Sequence, residues 1–490
     1  MGILIVVNSP KDWPIASGQA QVISAKSYLT NPAYTNMRGV KVFNLTRSYR
    51  YQSMGYYVSL LAEARGHKPL PSINTIQDMK SQTIIRFVSD DLNQLIQKSL
   101  APIQSKEFVL SIYFGRNLAK RYDRLSLNLF NLFPAPLLRA RFVRGREWQL
   151  QNISPISSNG IPAEHWPFVL DMAAQHFAGK RFRARKRSET RYDLAILHNP
   201  KELHAPSDER ALKKFVKAAE SLGIAADLIT KDDYGTLAEY DALFIRETTL
   251  VNHHTYRFAR RATAEGMVVV DDPDSILKCT NKVYLAELMT QHDIPIPKTW
   301  IISKESLPKI TGEISMPCVL KQPDSAFSQG VIKVHDMESF ISETKRLLDK
   351  SDLIIGQEYL PTDFDWRVGI FDRRPLYVCK YFMARQHWQI VEHDEHGKSH
   401  EGRAETFTVE EAPPKLIRIA LRAANLIGDG LYGVDIKQVG KKYYVIEVND
   451  NPSIDATAED RVLGNQLYTD IMSVFLKRIE QRKGGRRDAD

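Results

Sequence analysis

The chain opens on a short apolar run, Ile3-Leu4-Ile5-Val6-Val7, that stops at Asn8 and Pro10 and reads as a first buried strand. A helical period runs from Gly55 to His67, with Tyr57, Leu60, Leu61 and Ala64 on one face and Gly66 as its stop. A new strand begins at Tyr192-Asp193-Leu194-Ala195-Ile196-Leu197-His198, a helix spans 208–222, and Asp241 to Arg246 makes another strand. Strand, helix and strand in that order predict a small α/β unit. Further on, Asn281 to Met289 has helix spacing, with Thr280 or Asn281 as its cap, and ends before Pro295 and Pro297. Met316 to Pro323 predicts a buried strand ending in Lys321, followed by the loop Ser325 to Gly330 and the strand Val331 to Val334. Leu353 to Leu360 predicts a strand whose polar residues interrupt an apolar run.

The most informative pattern lies near the end. Gly433 to Val439 and Tyr443 to Asn449 are two short strands joined through Gly440-Lys441-Lys442, which predicts a β-hairpin. With those three residues as the loop, Val439 pairs with Tyr443, and counting outward sets Asp435 opposite Glu447. Side chains two apart on a strand share a face, so Asn449 joins them. Two carboxylates and an amide oxygen then converge, a donor set suited to Mg²⁺ completed by water and phosphate. The competing reading is an edge hairpin with solvated acids, and the apolar Val445, Ile446 and Val448 around Glu447 weigh against it. Lys282 sits at a helix start, where free N–H groups and a lysine suit phosphate. The strand–loop–strand around Lys321 is arranged for backbone donors to fold over phosphates, although no P-loop motif occurs.

Composition sets the limits. A chain of 490 residues with 43% hydrophobic and 26% charged content is ordinary globular material, enough for about three domains. Cys279, Cys318 and Cys379 are widely spaced with no C-x-x-C, which predicts a reducing, cytoplasmic setting. The opening apolar run is too short for a signal sequence or a membrane span, and no later segment qualifies, so no membrane partner is expected. The net charge of +9 bears on solubility and steering, not on function. Gly179 to Arg187 is a basic run that reads as a linker or as contact with a phosphate-rich partner. No internal repeat or low-complexity tract is evident. The expected division is an N-terminal accessory domain at 1–185, a small α/β domain at 190–278, a third domain at 279–480 and a basic tail at 481–490.

Taken in order, Lys282, Lys321, Gln357-Glu358-Tyr359, Asp435 and Glu447-Val448-Asn449-Asp450-Asn451-Pro452 resemble the ATP-grasp superfamily. Within it they are similar to the RimK-type carboxylate-amine ligases that add glutamate to ribosomal protein. The resemblance covers about 190–480. It implies an α/β (α+β) architecture: an ATP-grasp fold preceded by a small pre-grasp domain, with an additional N-terminal α/β domain whose function it does not supply. It further implies that Lys282 and Lys321 contact ATP phosphates, that Gln357, Glu358 and Tyr359 lie at an adenine-binding hinge, and that Asp435, Glu447 and Asn449 bind Mg²⁺, with Mn²⁺ as a substitute. Asp365-Trp366-Arg367 looks like the family's D-x-R, Lys380 occupies the following strand where a basic residue is usual, and Arg403 stands in Glu401-Gly402-Arg403-Ala404 where the family has R-G-G.

The expected chemistry is amide formation through an acyl phosphate, with Mg²⁺ and basic side chains neutralising the transferring phosphoryl group. An amino acid, glutamate first, and a carboxylate acceptor, a protein tail or small molecule, are the expected partners. Arg246 and Arg367 are candidates for holding a substrate carboxylate, the competing reading for Arg246 being a surface ion pair with Glu247. Two rival functions stand beside the ligase. One is an ATP-binding regulator without turnover; the other is a nucleic-acid- or ribosome-associated protein using the basic linker and the N-terminal aromatics. A homo-oligomer is also compatible with the sequence.

Overall fold

The computed structural model describes residues 2–14, 20–35, 37, 39–178, 190–324, 330–383, 391–393, 399–401 and 403–484. The basic run Gly179 to Arg187, Ser325 to Gln329 of the expected phosphate loop, Gly402 and the end of the tail lie outside the described residues. The chain divides into two compact units. The first comprises residues 1–192 with 232–240, and the second residues 193–231 with 241–490. The segments 190–278 and 279–480, read from sequence as separate domains, thus fall almost wholly in the second unit.

In the first unit, β1 (Gly2–Val7), β2 (Ala20–Ser24), β3 (Val40–Asn44) and β4 (Lys68–Leu70) form a parallel sheet in the order β2-β1-β3-β4. An antiparallel sheet follows, made of β5 (Glu107–Tyr113), β6 (Leu137–Arg144) and β7 (Trp148–Pro155). The helix expected near residue 55 spans Met54–Ala64, but it buries Gly55, Val58, Ser59 and Ala62, and Tyr57 is exposed. Close approach decides this face: a Cβ on Gly55 would stand 2.1 Å from Thr46 Oγ1 and 2.3 Å from Ser48 O, so the helix packs there through bare backbone.

The second unit begins with another parallel sheet, β8 (Tyr192–Leu197), β9 (Ile224–Ile229), β10 (Ala242–Ile245) and β11 (Val268–Val270), in the order β9-β8-β10-β11. This is the topology of the first sheet again, and the likeness extends to sequence position. The helices Met54–Ala64 and His254–Ala264, the strands β4 and β11, and Gly66 and Gly266, both at positive φ, all stand 200 residues apart. The chain therefore contains a structural repeat that composition and motif reading did not reveal. Its two copies keep Tyr56 and Tyr256, Ala62 and Ala262, Ala64 and Ala264, Gly66 and Gly266, and Ile76 and Ile276 at that spacing, and differ at most other positions, because a parallel sheet asks for apolar character rather than particular residues.

Two further large sheets and a two-stranded ribbon follow among the described residues of the second unit. One is antiparallel, with β12 (Thr299–Ile302), β13 (Cys318–Lys321), β14 (Val331–Val334) and β15 (Ile354–Glu358) in the order β12-β15-β13-β14. The other uses β16 (Phe364–Phe371) and β17 (Arg374–Phe382). The short ribbon β18 (Val391–His393) and β19 (Ser399–Glu401) intervenes before β20 (Ala404–Phe407), β21 (Tyr432–Val439) and β22 (Lys442–Asn449), and the order is β20-β17-β16-β21-β22. One face of this five-stranded sheet carries Trp366, Val368, Val434, Ile436 and Val448, which form a core with Leu416, Ala420 and Ala423 of the amphipathic helix Pro414–Ile427. That leaves the other face for polar work.

The hairpin reaches the expected pairing by an unexpected route. Its loop is two residues, Gly440-Lys441, and Val439 pairs with Lys442, one step off the sequence count. A β-bulge between Asp435 and Ile436 takes up the difference, with Ile446 as the extra residue, so Asp435 still faces Glu447.

Candidate functional site

Register places the polar side chains of the five-stranded sheet together. Arg367 pairs with Asp435 across β16 and β21, Asp365 with Lys437, and Asp435 with Glu447 across the hairpin. Arg367 Nε and Nη2 donate to the two Asp435 oxygens at 2.7 and 2.8 Å, a bidentate fork. Asn449 Nδ2 donates to Asp435 Oδ2 at 3.1 Å. Burial works against the Arg367 charge, yet Asp435 more than restores it and holds its pKa above the usual arginine value. Gly433 keeps the space open: a Cβ there would stand 2.7 Å from Pro452 and 3.3 Å from Arg367 Cδ.

Two lysines arrive from other elements. Lys282 is the first residue of the helix Lys282–Gln291, capped by the Asn281 side chain, which accepts from Tyr284 N. Its Nζ lies 2.8 Å from Glu447 Oε1. Burial alone would raise the Glu447 pKa; Lys282, Lys321 and Arg367 outweigh it and keep the carboxylate below its usual range. Lys321 ends β13, and its Nζ donates to Gln357 Oε1 at 2.8 Å. Burial pushes the Lys321 pKa down to about 8, against the pull of Glu447. Gln357 in turn donates to Thr299 Oγ1 at 3.0 Å, so its side chain positions Lys321. Glu358 is exposed, its backbone N–H donating to Lys298 O at 2.8 Å, and Lys333 Nζ stands 3.7 Å from the centre of the Tyr359 ring. Lys282, Lys321, Gln357 to Leu360, Asp365, Arg367, Asp435, Lys437, Glu447 and Asn449 all line one pocket.

Three expected residues lie elsewhere. Lys380 pairs with Trp366, not with Arg367, and so projects to the core face, where its Nζ sits over the rings of Phe364, Trp366 and Phe407 at 4.7, 4.6 and 5.1 Å. Arg403 is exposed and paired with Glu405, opposite Lys380. Strand parity removes both from the pocket, and Tyr381 and Ala404 take the positions that face it. Arg246 is 0% exposed and fully engaged. It donates to Ser207 Oγ at 3.0 Å, to Asn451 Oδ1 at 2.7 Å, to Pro452 O at 2.9 Å and to Pro206 O. It is neither a surface ion pair nor a free clamp for a substrate: it fastens the Asn451-Pro452 turn behind the hairpin.

Sequence reasoning also missed residues. Lys437 donates to Asp365 Oδ1 at 2.6 Å; standing two from Asp435, it was recoverable by the same parity rule. Tyr381 donates to Glu459, which also accepts from Asp455 N at 2.7 Å. Asp271 and Asp450 are buried, and burial raises both pKa values, that of Asp450 to about 7. No local spacing signalled Glu459 or Asp271.

The arrangement is one of preorganised charge: oxygen donors from two strands beside basic groups from three other elements. The all-oxygen set of Asp435, Glu447 and Asn449 fits a hard cation, and the lysines and Arg367 fit phosphate or carboxylate. A family model for the RimK-like ATP-grasp domain matches residues 279–474, and one for the RimK-like ATPgrasp N-terminal domain matches residues 25–172. The chain belongs to the RimK-like ATP-grasp ligases. It is an ATP-dependent ligase that joins a carboxylate to an amine. Alpha-aminoadipate–LysW ligase LysX of Sulfurisphaera tokodaii is 25% identical over 264 residues, covering 50% of this chain and 87% of that protein. A probable alpha-L-glutamate ligase of a Marinomonas species is 22% identical over 289 residues, covering 55% of this chain and 91% of that one. Among solved structures, D-alanine–D-alanine ligase from Bacillus anthracis complexed with ATP aligns with 59% of this chain and 98% of its own at 15% identity and a TM-score of 0.47. No helix among the described residues is long and apolar enough to cross a membrane.

Proposed function

We propose that this RimK-like ligase activates a carboxylate as an acyl phosphate at the expense of ATP and passes the acyl group to an amine, releasing ADP and phosphate. The observation that carries this reading is the convergence, on one sheet face, of Asp435, Glu447 and Asn449 with Lys282, Lys321 and Arg367. Asp435, Glu447 and Asn449 would hold Mg²⁺. When bound, the ion supplies neutralisation of phosphate charge. Lys282 and Lys321 would take up phosphate oxygens, Lys282 exchanging its Glu447 partner for one. Arg367, fixed by Asp435, presents its remaining N–H groups to an anionic substrate oxygen. Three buried cysteines leave the acyl group on phosphate rather than on sulfur. Thiolate attack would need a depressed thiol pKa, and burial raises all three.

The substrates favoured are an amino acid, glutamate first, and a carboxylate borne by a protein tail or a small molecule, in a cytoplasmic setting. The relatives' names, which pair alpha-aminoadipate with LysW or name alpha-L-glutamate, support that class. The test uses an acid labelled with heavy oxygen in its carboxylate, together with ATP and an amino-acid panel. Transfer of one label into released phosphate is the expected result. Label in AMP, with pyrophosphate released, would mean adenylation and overturn the mechanism.

A further inference from the structure

Outside the ligase pocket, the loop after β10 carries a second cluster. Glu247, His253 and His254 each offer a ligand atom, and the three atoms lie within 4.8 Å of one another. The two imidazole rings stand 3.9 Å apart between centroids. His254 Nε2 lies 2.9 Å from Glu247 Oε1, but out of line for a hydrogen bond. Glu247 Oε2 has no hydrogen-bond partner either, on a residue only 2% exposed. Leaving buried polar atoms unmet is unfavourable.

We propose that Glu247, His253 and His254 bind a divalent transition ion of the Zn²⁺ class. Two imidazoles and a carboxylate form a nitrogen–oxygen set that favours Zn²⁺ and its neighbours over Mg²⁺. The supporting groups are of the right kind. His253 Nδ1 is 3.1 Å from Thr255 Oγ1, whose hydroxyl donates to Thr248 O, and such outer partners orient a ligating ring. Glu202 accepts from Thr248 N at 3.2 Å and so fixes the backbone beside Glu247.

The repeat within the chain supplies an internal control. In the first unit the same strand–loop–helix is built with Thr46 and Arg47 after the strand and with Ser53 and Met54 at the helix start. There Ser53 caps the helix by accepting from Tyr56 N, as a good N-cap does. His253 occupies that cap position and makes no side-chain cap bond. Helix capping therefore does not account for the histidine here. The site also touches the ligase pocket: Glu247 O accepts from Asn451 Nδ2 at 2.8 Å, and Thr248 to Leu250 line one wall. An ion at this point would brace that wall.

The test titrates Zn²⁺, with Co²⁺ as an absorbing probe, into chelator-treated protein without nucleotide. The proposal expects one Zn²⁺ per chain, with affinity unchanged in Glu447→Gln and weakened roughly tenfold or more in His254→Gln and in His253→Ser, since even outer-shell losses cost that much. His253→Ser gives the helix the cap that Ser53 provides in the first unit, so it folds, and thermal melting verifies that. The proposal is overturned if wild type takes up no stoichiometric Zn²⁺, if folded His253→Ser and His254→Gln bind as tightly as wild type, or if Glu447→Gln abolishes the uptake.

Discussion

Replacing Arg246 by methionine separates two roles that the sequence left open. Arg246 donates four hydrogen bonds, two of them to main-chain carbonyls, from a position with no exposure. Methionine keeps contact with the rings of Phe215 and Phe244 that lie under the guanidinium, but it leaves Ser207, Asn451, Pro206 and Pro452 without their donor. Charged hydrogen bonds are worth about 1.5–3 kcal/mol each and do not add fully. Breaking a buried charged network by removing one member costs about 3–5 kcal/mol, which is the magnitude expected here. Against a total stability of roughly 5–15 kcal/mol, that shifts the folding equilibrium by about two to four orders of magnitude. Urea unfolding at fixed protein concentration should show a clearly lower midpoint. Steady-state kinetics on the folded fraction should show a modest change in KM for the acid substrate. An unchanged urea midpoint together with a KM raised tenfold or more would refute the reasoning and restore Arg246 as a substrate ligand.

Glu447→Gln should abolish ADP formation and leave the urea midpoint near wild type; normal turnover at ordinary Mg²⁺ would remove Glu447 from the ion site. Lys321→Ala should weaken ATP binding by about tenfold or more, since a charge-assisted bond in a closed site exceeds the 0–1 kcal/mol of an exposed pair, and equal affinity by calorimetry would show that Lys321 does not reach phosphate. The depressed Lys321 pKa of about 8 means that its charge is lost as pH rises through that value, so ATP affinity should fall on going from pH 7 to 9. Lys321→Arg, which stays protonated, should flatten that fall, and an identical pH profile in the two proteins would contradict it. Lys380→Ala and Arg403→Ala should keep kcat/KM within a fewfold of wild type, with Lys380→Ala losing about 1 kcal/mol of stability through its ring contacts, whereas Arg367→Ala should lose turnover; the reverse ranking would mean that the strand faces are misassigned.

The hairpin was legible because a period of two and a short polar loop are local facts. Its detail was not: the loop has two residues instead of three, and only the bulge at Ile446 returns Glu447 to Asp435. The elements at Lys282 and Lys321 were likewise visible, one as a capped helix start and the other as an apolar run ending in lysine. Arg246 was misjudged for a physical reason. An arginine at a strand end looks like a ligand or a surface charge from sequence, and nothing local says that a turn more than 200 residues away will take up its donors. The repeat was hidden in the same way, since its two copies preserve topology and helix position while exchanging Arg47 for Glu247 and Ser53 for His253.

Parity explains both the successes and the failures on the five-stranded sheet. One face must be apolar to meet the helix Pro414–Ile427, so each strand has only its odd or its even positions left for chemistry. On β16 those are Asp365 and Arg367; on β21, Asp435 and Lys437; on β22, Glu447 and Asn449. Applying that rule to β17 selects Tyr381 and rejects Lys380, however suitable a lysine looks in isolation. The cost of breaking the rule is visible in the structure: Lys380, half-buried on the apolar side, sits over three aromatic rings, where its charge meets π-faces. A basic residue on the strand next to a phosphate site is therefore no evidence for phosphate contact until its face is known.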